Sequence, residues 1–204
     1  MRVGILGGTF NPVHLGHLIM AQRAAEEFKL GKVMFIPCAV PPHKRSGDLA
    51  CPQDRFRMVQ RAIGGNPKFE ACDLEIRRGG KSYSYDTLRQ LHAADGEGDR
   101  FFFITGADGL AQIRQWHRIQ DLMKLCRFIV VARPGVPTDK ILKGMAPPDR
   151  KYFGQYVLDA CPMGISSREI RRRVRAGLSV RYFVSEPVAA YVEDAGLYTS
   201  HARP

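Results

Sequence analysis

The apolar positions of this chain fall into two rhythms. Short unbroken runs at 3–6 (Val-Gly-Ile-Leu), 33–36 (Val-Met-Phe-Ile), 100–105 and 128–132 read as buried strands. A strand covered on both faces has no polar side to alternate with, so its sequence is continuously hydrophobic. Residues 69–76 and Tyr156-Val157-Leu158 read as further strands. Between these runs the period changes. Leu15, Leu18, Ile19, Ala25 and Phe28 recur near 3.6 residues and predict a helix over 15–28, with Gly31 as its stop. Further helices are predicted over 52–63, closed by Gly64-Gly65, over 82–93 with Ser82 as N-cap, over 166–176 and over 187–194. The stretches 38–50 and 134–148 hold proline and glycine and read as loops.

Strands alternating with helices mean βαβ units. The predicted class is therefore α/β: a Rossmann-like, open, mostly parallel sheet with helices on both faces. Right-handed crossovers place the loops that follow the strands along one edge, where ligands of such sheets bind. The glycine-rich stretch after the first strand, the Pro-Pro-His-Lys loop after the second and Gly106-Ala107-Asp108 after 100–105 are expected to converge there. The 204 residues suffice for one ordinary domain, 1–204.

Composition narrows the picture. Five cysteines are scattered without a CxxC spacing, which points to reduced thiols in a cytoplasmic protein rather than to disulfides or a zinc site. Met1-Arg2 leads straight into a strand, without the apolar core of a signal peptide, and no run approaches the roughly 20 apolar residues that span a bilayer. The net charge of +11 suits nucleic acid or small polyanions. Its location favours the second, because five arginines crowd into 168–175 behind an Ile-Ser-Ser lead.

The chemistry-bearing residues lie where chain direction changes. Gly7-Gly8-Thr9-Phe10-Asn11-Pro12-Val13-His14-Leu15-Gly16-His17 joins the first strand to the first helix. Free N–H groups and the helix dipole make such a start an anion site. His14 and His17, three apart on one turn, are neighbours able to reach one phosphate. Taken alone, the pair also suits a helix cap and a core histidine. Ser166 and Ser167 open another helix, and Arg171, one turn on, carries a planar fork that fits phosphate oxygens.

These segments resemble the nucleotidylyltransferase superfamily, whose signature is T/HxGH. The longer form here resembles bacterial nicotinate mononucleotide adenylyltransferases. Four later segments resemble the same family in the same order: Pro41-Pro42-His43-Lys44, Ser82-Tyr83-Ser84-Tyr85-Asp86-Thr87-Leu88 (SYTxxTL), Gly106-Ala107-Asp108 with Trp116, and Ile165-Ser166-Ser167-Arg168-Glu169-Ile170-Arg171 (ISSTxIR). The resemblance implies transfer of the AMP part of ATP to nicotinate mononucleotide, giving nicotinate adenine dinucleotide and pyrophosphate in NAD biosynthesis. It implies that His14, His17, Lys44 and Arg171 stabilise the reacting phosphates. It implies that Gly7, Gly8, Thr9, Phe10, Gly106, Asp108, Ile165, Ser166 and Ser167 bind ATP. Ser84, Trp116 and the backbone of His117 are implied to hold the mononucleotide, Trp116 by stacking on its ring. Mg²⁺ is expected to ride on the ATP phosphates, without a metal site of protein ligands, and the helical part from about 166 to carry the second phosphate motif.

Four departures from the family pattern stand out: Asn11 for the commoner Asp, Ser84 for the Thr of SYT, Arg168 for Thr, and Cys38-Ala39 where some members carry asparagines beside the pyridine. Two rivals remain at this stage. Pantetheine-phosphate adenylyltransferases share both phosphate motifs but lack the SYTxxTL and Asp–Trp segments. A basic nucleic-acid-binding protein would account for the charge and leave the motifs as coincidence. The expected partners are thus small molecules, with neither nucleic acid nor membrane.

Overall fold

The computed structural model describes residues 1–42, 49–95, 98–132, 135, 137–159 and 164–199. The described residues form a parallel sheet of six strands: β1 (Arg2–Gly8), β2 (Lys32–Pro37), β3 (Phe69–Ala71), β4 (Arg100–Gly106), β5 (Arg127–Val131) and β6 (Val157–Leu158). Their spatial order is β3-β2-β1-β4-β5-β6. β1 pairs with β2 from Val3↔Lys32 to Gly8↔Pro37, and with β4 from Arg2↔Arg100 to Ile5↔Phe103. The chain winds outward from β1 through β2 to β3, then returns to its other side with β4. The carboxyl ends of β1 and β4 therefore bound the crevice at the reversal of strand order.

Alternation within each strand divides the core in two. Leu6, Val33, Phe35, Phe102, Ile104, Ile129 and Val131 face one side. They pack against α1 (Leu15–Glu27), α2 (Pro52–Ile63), α9 (Ser167–Arg175) and α10 (Glu186–Asp194), which contribute Ala24, Met58, Ile170 and Val188. Val3, Ile5, Met34, Ile36, Phe101, Phe103, Phe128 and Val130 face the other. They pack on α4 (Ser84–Asp95), α5 (Ala107–Ala111), α6 (Ile119–Leu125) and α8 (Pro147–Phe153). Both faces are covered, which is why the strand sequences are unbroken apolar runs. The predicted class, an open Rossmann-like sheet with helices on both faces, is the observed one.

The remaining helices are α3 (Leu74–Arg78) and α7 (Thr138–Lys143). They mark where expectation and structure part. The predicted strand 69–76 ends at Ala71 and gives way to α3. The predicted loop 134–148 contains α7 and the start of α8, where Pro147 takes the first helical position, which tolerates its missing N–H. The predicted helix 82–93 begins at Ser84 instead. Ser82 is not its cap: its hydroxyl accepts from the Ala39 N–H at 2.9 Å and ties the loop after β2 to this segment.

Candidate active site

A cleft of about 960 Å³ opens at the carboxyl ends of β1 and β4. Gly7, Thr9, His14, His17, Gly106, Asp108, Ser166, Ser167 and Arg171 all line it, together with Asn11, Trp116 and Arg168. Three separate segments of sequence thus supply one polar cavity.

His14 is the N-cap of α1, in extended backbone, and its side chain is buried. Its N–H donates to His17 Nδ1 at 3.2 Å. The two rings stack with centroids 3.7 Å apart and planes inclined by 28°. His14 is therefore both a helix cap and a wall of the cleft. Phe10 does not line the cleft. Its buried ring meets that of His17 edge-on at 5.0 Å and props it from behind.

The start of α9 is fastened to the loop after β1. Ser167 Oγ donates to Pro12 O at 2.9 Å, and Arg171 Nη1 to Asn11 O at 2.8 Å. Ser166 caps the helix, its Oγ accepting from the Glu169 N–H. The arginines crowded on this helix divide between two settings. Arg168 and Arg171 line the cleft, whereas Arg172 turns to Glu169 at 2.7 Å and holds that carboxyl below the usual range. Ile165 lies apart from the cleft, beside a hollow of about 50 Å³ that it shares with His14, His17 and Arg23.

A second pocket of about 210 Å³ adjoins the cleft. It holds Ser84, Trp116 and His117, with Gly8, Cys38, Pro41, Glu75 and Tyr83. Gly7, Thr9, Phe103 and Trp116 line both cavities and form their common wall. Trp116 stands edge-on to Phe103 at 5.5 Å and to Phe128 at 6.1 Å, which fixes its plane. Tyr83 packs on the His117 ring at 4.4 Å, so the two sides of the pocket touch at its rim. Cys38 occupies the wall where the family pattern has polar residues, and burial pushes its thiol up despite the Arg55 guanidinium. Lys44 lies outside the described residues.

A family model described as cytidylyltransferase-like matches residues 5–173, which take in the strands, the cleft and all but the last turn of α9. A probable nicotinate-nucleotide adenylyltransferase of Desulfitobacterium hafniense (strain Y51) is 42% identical over 198 residues, 97% of this chain and 95% of that protein. One of Lactiplantibacillus plantarum is 43% identical over 197 residues, 97% of this chain and 88% of that protein.

The chain belongs to the nicotinate-nucleotide adenylyltransferase family.

A solved structure of Plasmodium falciparum nicotinic acid mononucleotide adenylyltransferase complexed with NaAD superposes with a TM-score of 0.78 at 19% identity, covering 97% of each chain. At that identity the likeness concerns the fold, which is thus the fold of this adenylyltransferase family.

Two residues of this family member escaped the sequence reading. Arg55 on α2 is fully buried. Its guanidinium donates to Ala50 O at 3.0 Å, Thr9 O at 2.9 Å and Ala39 O at 2.9 Å, and so binds the loops after β1 and β2 together. The signal was present: Arg55 shares the buried stripe of Met58, Val59 and Ile63 on α2. Glu75 is buried with 6% exposure at the small pocket and accepts from Thr87 Oγ1 at 2.6 Å. Nothing local in its sequence separates it from an ordinary surface glutamate. Asn11, noted only as a departure, is a hub. Its Oδ1 accepts from Tyr198 OH at 2.8 Å and from the Ala50 N–H at 3.0 Å.

Proposed function

We propose that this protein joins the AMP part of ATP to nicotinate mononucleotide, releasing pyrophosphate and forming nicotinate adenine dinucleotide, a step of NAD biosynthesis. The observation that carries this reading is the shared wall. A polar cleft suited to a triphosphate opens, past Gly7, Thr9, Phe103 and Trp116, into a small aromatic pocket the size of a single ring.

In this reading the 5′-phosphate of the mononucleotide attacks the α-phosphorus of ATP in line. One phosphorus–oxygen bond forms, the α–β bridge breaks, and pyrophosphate carries the electron pair away. Such a transfer needs positioning and charge stabilisation rather than a protein nucleophile. His14, His17 and Arg171 supply donors from two helices, and Lys44 adds a positive charge. Thr9, Ser166 and Ser167 hold phosphate oxygens, with the backbone of Gly7, Gly8 and Phe10 beside them. Gly106, Asp108 and Ile165 border the rest of ATP. Ser84 and the His117 N–H take the nicotinate carboxylate, while Trp116 covers the ring.

Among the described residues no group of three His, Cys, Asp or Glu side chains is placed to hold a metal ion. Mg²⁺ carried by the triphosphate would neutralise its oxygens, and Asp108 is a carboxylate lining the cleft. Cysteines 38, 51, 72 and 126 are free thiols, which supports a reducing, cytoplasmic setting. No described helix is long and apolar enough to cross a membrane.

The test is pyrophosphate release from Mg·ATP with nicotinate mononucleotide, nicotinamide mononucleotide or phosphopantetheine as acceptor. Release with the first, at least about tenfold faster than with the second, is expected from one lost charge-assisted contact. Release with phosphopantetheine alone overturns the assignments of Ser84 and Trp116. No release with any acceptor overturns the reaction.

A further inference from the structure

The small pocket contains a carboxylate that the transfer reaction does not use. Glu75 stands on α3, is 6% exposed, and lines the pocket with Ser82, Ser84, Phe103, Trp116 and His117. Its Oε1 accepts from Thr87 Oγ1 at 2.6 Å. Thr87 in turn accepts from Arg78 Nη2 at 3.1 Å. The Thr87 hydroxyl also has Tyr83 O at 3.2 Å, and of its two acceptors Glu75 is the nearer. Among the described residues no Lys or Arg forms an ion pair with Glu75. Arg78 reaches it through that hydroxyl. A buried carboxylate with neutral bonding alone is costly to desolvate. The cost is offset when a cation enters the pocket beside it.

Resting on the proposed reaction, we propose that Glu75 is a specificity-determining residue, the counter-charge for the cationic pyridinium ring of the mononucleotide. The ring nitrogen of an N-ribosylated nicotinate bears a full positive charge. The pocket otherwise meets it with Phe103 and Trp116, rings whose faces favour a cation. In the proposed reaction the nicotinate carboxylate is held by Ser84 and the His117 N–H, which line the same pocket. The pocket thus reads two features of its ligand, an anionic substituent at one end and a positive ring at the other. A mononucleotide whose ring is reduced to the uncharged dihydropyridine keeps the shape and the substituent and loses what Glu75 recognises.

Calorimetric titration of nicotinate mononucleotide and of its dihydropyridine form into wild type, Glu75→Gln and Glu75→Asp separates charge from scaffold. Glutamine keeps an acceptor for Thr87 and removes the charge. The expected result is that Glu75→Gln weakens the pyridinium form by about tenfold or more while changing the dihydropyridine form by less than about threefold, since the loss is of one charge interaction in a dry site. Glu75→Asp retains most of the wild-type preference. ATP affinity of each variant, measured alongside, stays at the wild-type value and certifies the fold. Equal weakening of both forms makes Glu75 a mere support for Thr87 and overturns the inference, as does no change in either. Tighter binding of nicotinate mononucleotide by Glu75→Gln overturns it too, since repulsion between the carboxylates would then dominate. Failure of wild type to bind either form, with ATP still bound, overturns the proposed acceptor itself.

Discussion

The rings of His14 and His17 lie stacked at 3.7 Å, while the His17 Nδ1 accepts the His14 N–H. One histidine caps the other's helix, so the two cannot be set independently. Within the proposed reaction His17, a wall of the cleft, meets the phosphates. His17→Ala should lower turnover by at least about 10²-fold, the scale of one charge-stabilising donor. The lost cap should cost only about 1 kcal/mol of stability. Near-normal turnover in steady-state assays removes His17 from the mechanism.

The glycine between the histidines answers to the same stack. A Cβ on Gly16 would lie 3.1 Å from both Cε1 and Nδ1 of His14, whose buried ring has little room to yield. Gly16 has ordinary helical backbone, so alanine there raises helix propensity by about 1 kcal/mol. Gly16→Ala is expected to reduce turnover by about tenfold without lowering the melting temperature, since it moves a catalytic ring rather than breaking the fold. Wild-type turnover in this variant shows that the stack tolerates displacement.

Trp116 is the sole tryptophan of the chain and lines both cavities. Its fluorescence is therefore a direct report of the pocket. Nicotinate mononucleotide should quench it in the absence of ATP. Trp116→Ala should raise the KM for the mononucleotide by about tenfold or more, the worth of an aromatic contact with a cationic ring. An effect on the KM for ATP alone contradicts the stacking assignment.

How far the sequence revealed this molecule depended on the range of the forces involved. β1, β2, β4 and β5 were legible because burial on both faces leaves unbroken apolar runs. α1, α2, α9 and α10 were legible from period and end signals. α7 and the start of α8 stand in the expected loop 134–148 because helices of six or seven residues, one starting on Pro147, carry too few turns to show a period against prolines and glycines. Ser82 was misread because a bond to Ala39, distant in sequence, outcompeted a local cap. At the site, the residues gathered in the cleft belong to motifs whose members sit together in sequence. Arg55 and Glu75 act on carbonyls and a hydroxyl brought near only by folding, so their types and neighbours in sequence say little.

Arg55 gives the sharpest stability prediction. Its guanidinium is fully buried and satisfies three carbonyl oxygens from two loops. Arg55→Met fills the stem's space and leaves those acceptors without donors, at about 1–3 kcal/mol for each that water cannot reach. A total near 3 kcal/mol corresponds to a fall of roughly 6–12 °C in Tm for a chain of this size. Arg55→Lys should recover little, because one ammonium cannot span the fork's acceptors. A Tm within about 2 °C of wild type for Arg55→Met would show that the loops hold without it.

Alkaline pH should weaken the fold through groups that burial keeps protonated. Cys126 is buried, and desolvation pushes its thiol from 9.0 up to about 12. Burial likewise raises the hydroxyls of Tyr152 and Tyr198 above their ordinary value of 10.0. For each, the folded state holds its proton after the unfolded chain has lost it. The folded state then binds more protons, so stability is complete below the unfolded value and declines as pH rises. For Cys126 the decline runs from about pH 9 to about 12. Urea midpoints taken across that window should fall, and Cys126→Ala should fall less steeply, because alanine has no proton to lose. Parallel slopes for wild type and Cys126→Ala would remove the thiol from the alkaline transition and leave it to the two tyrosines.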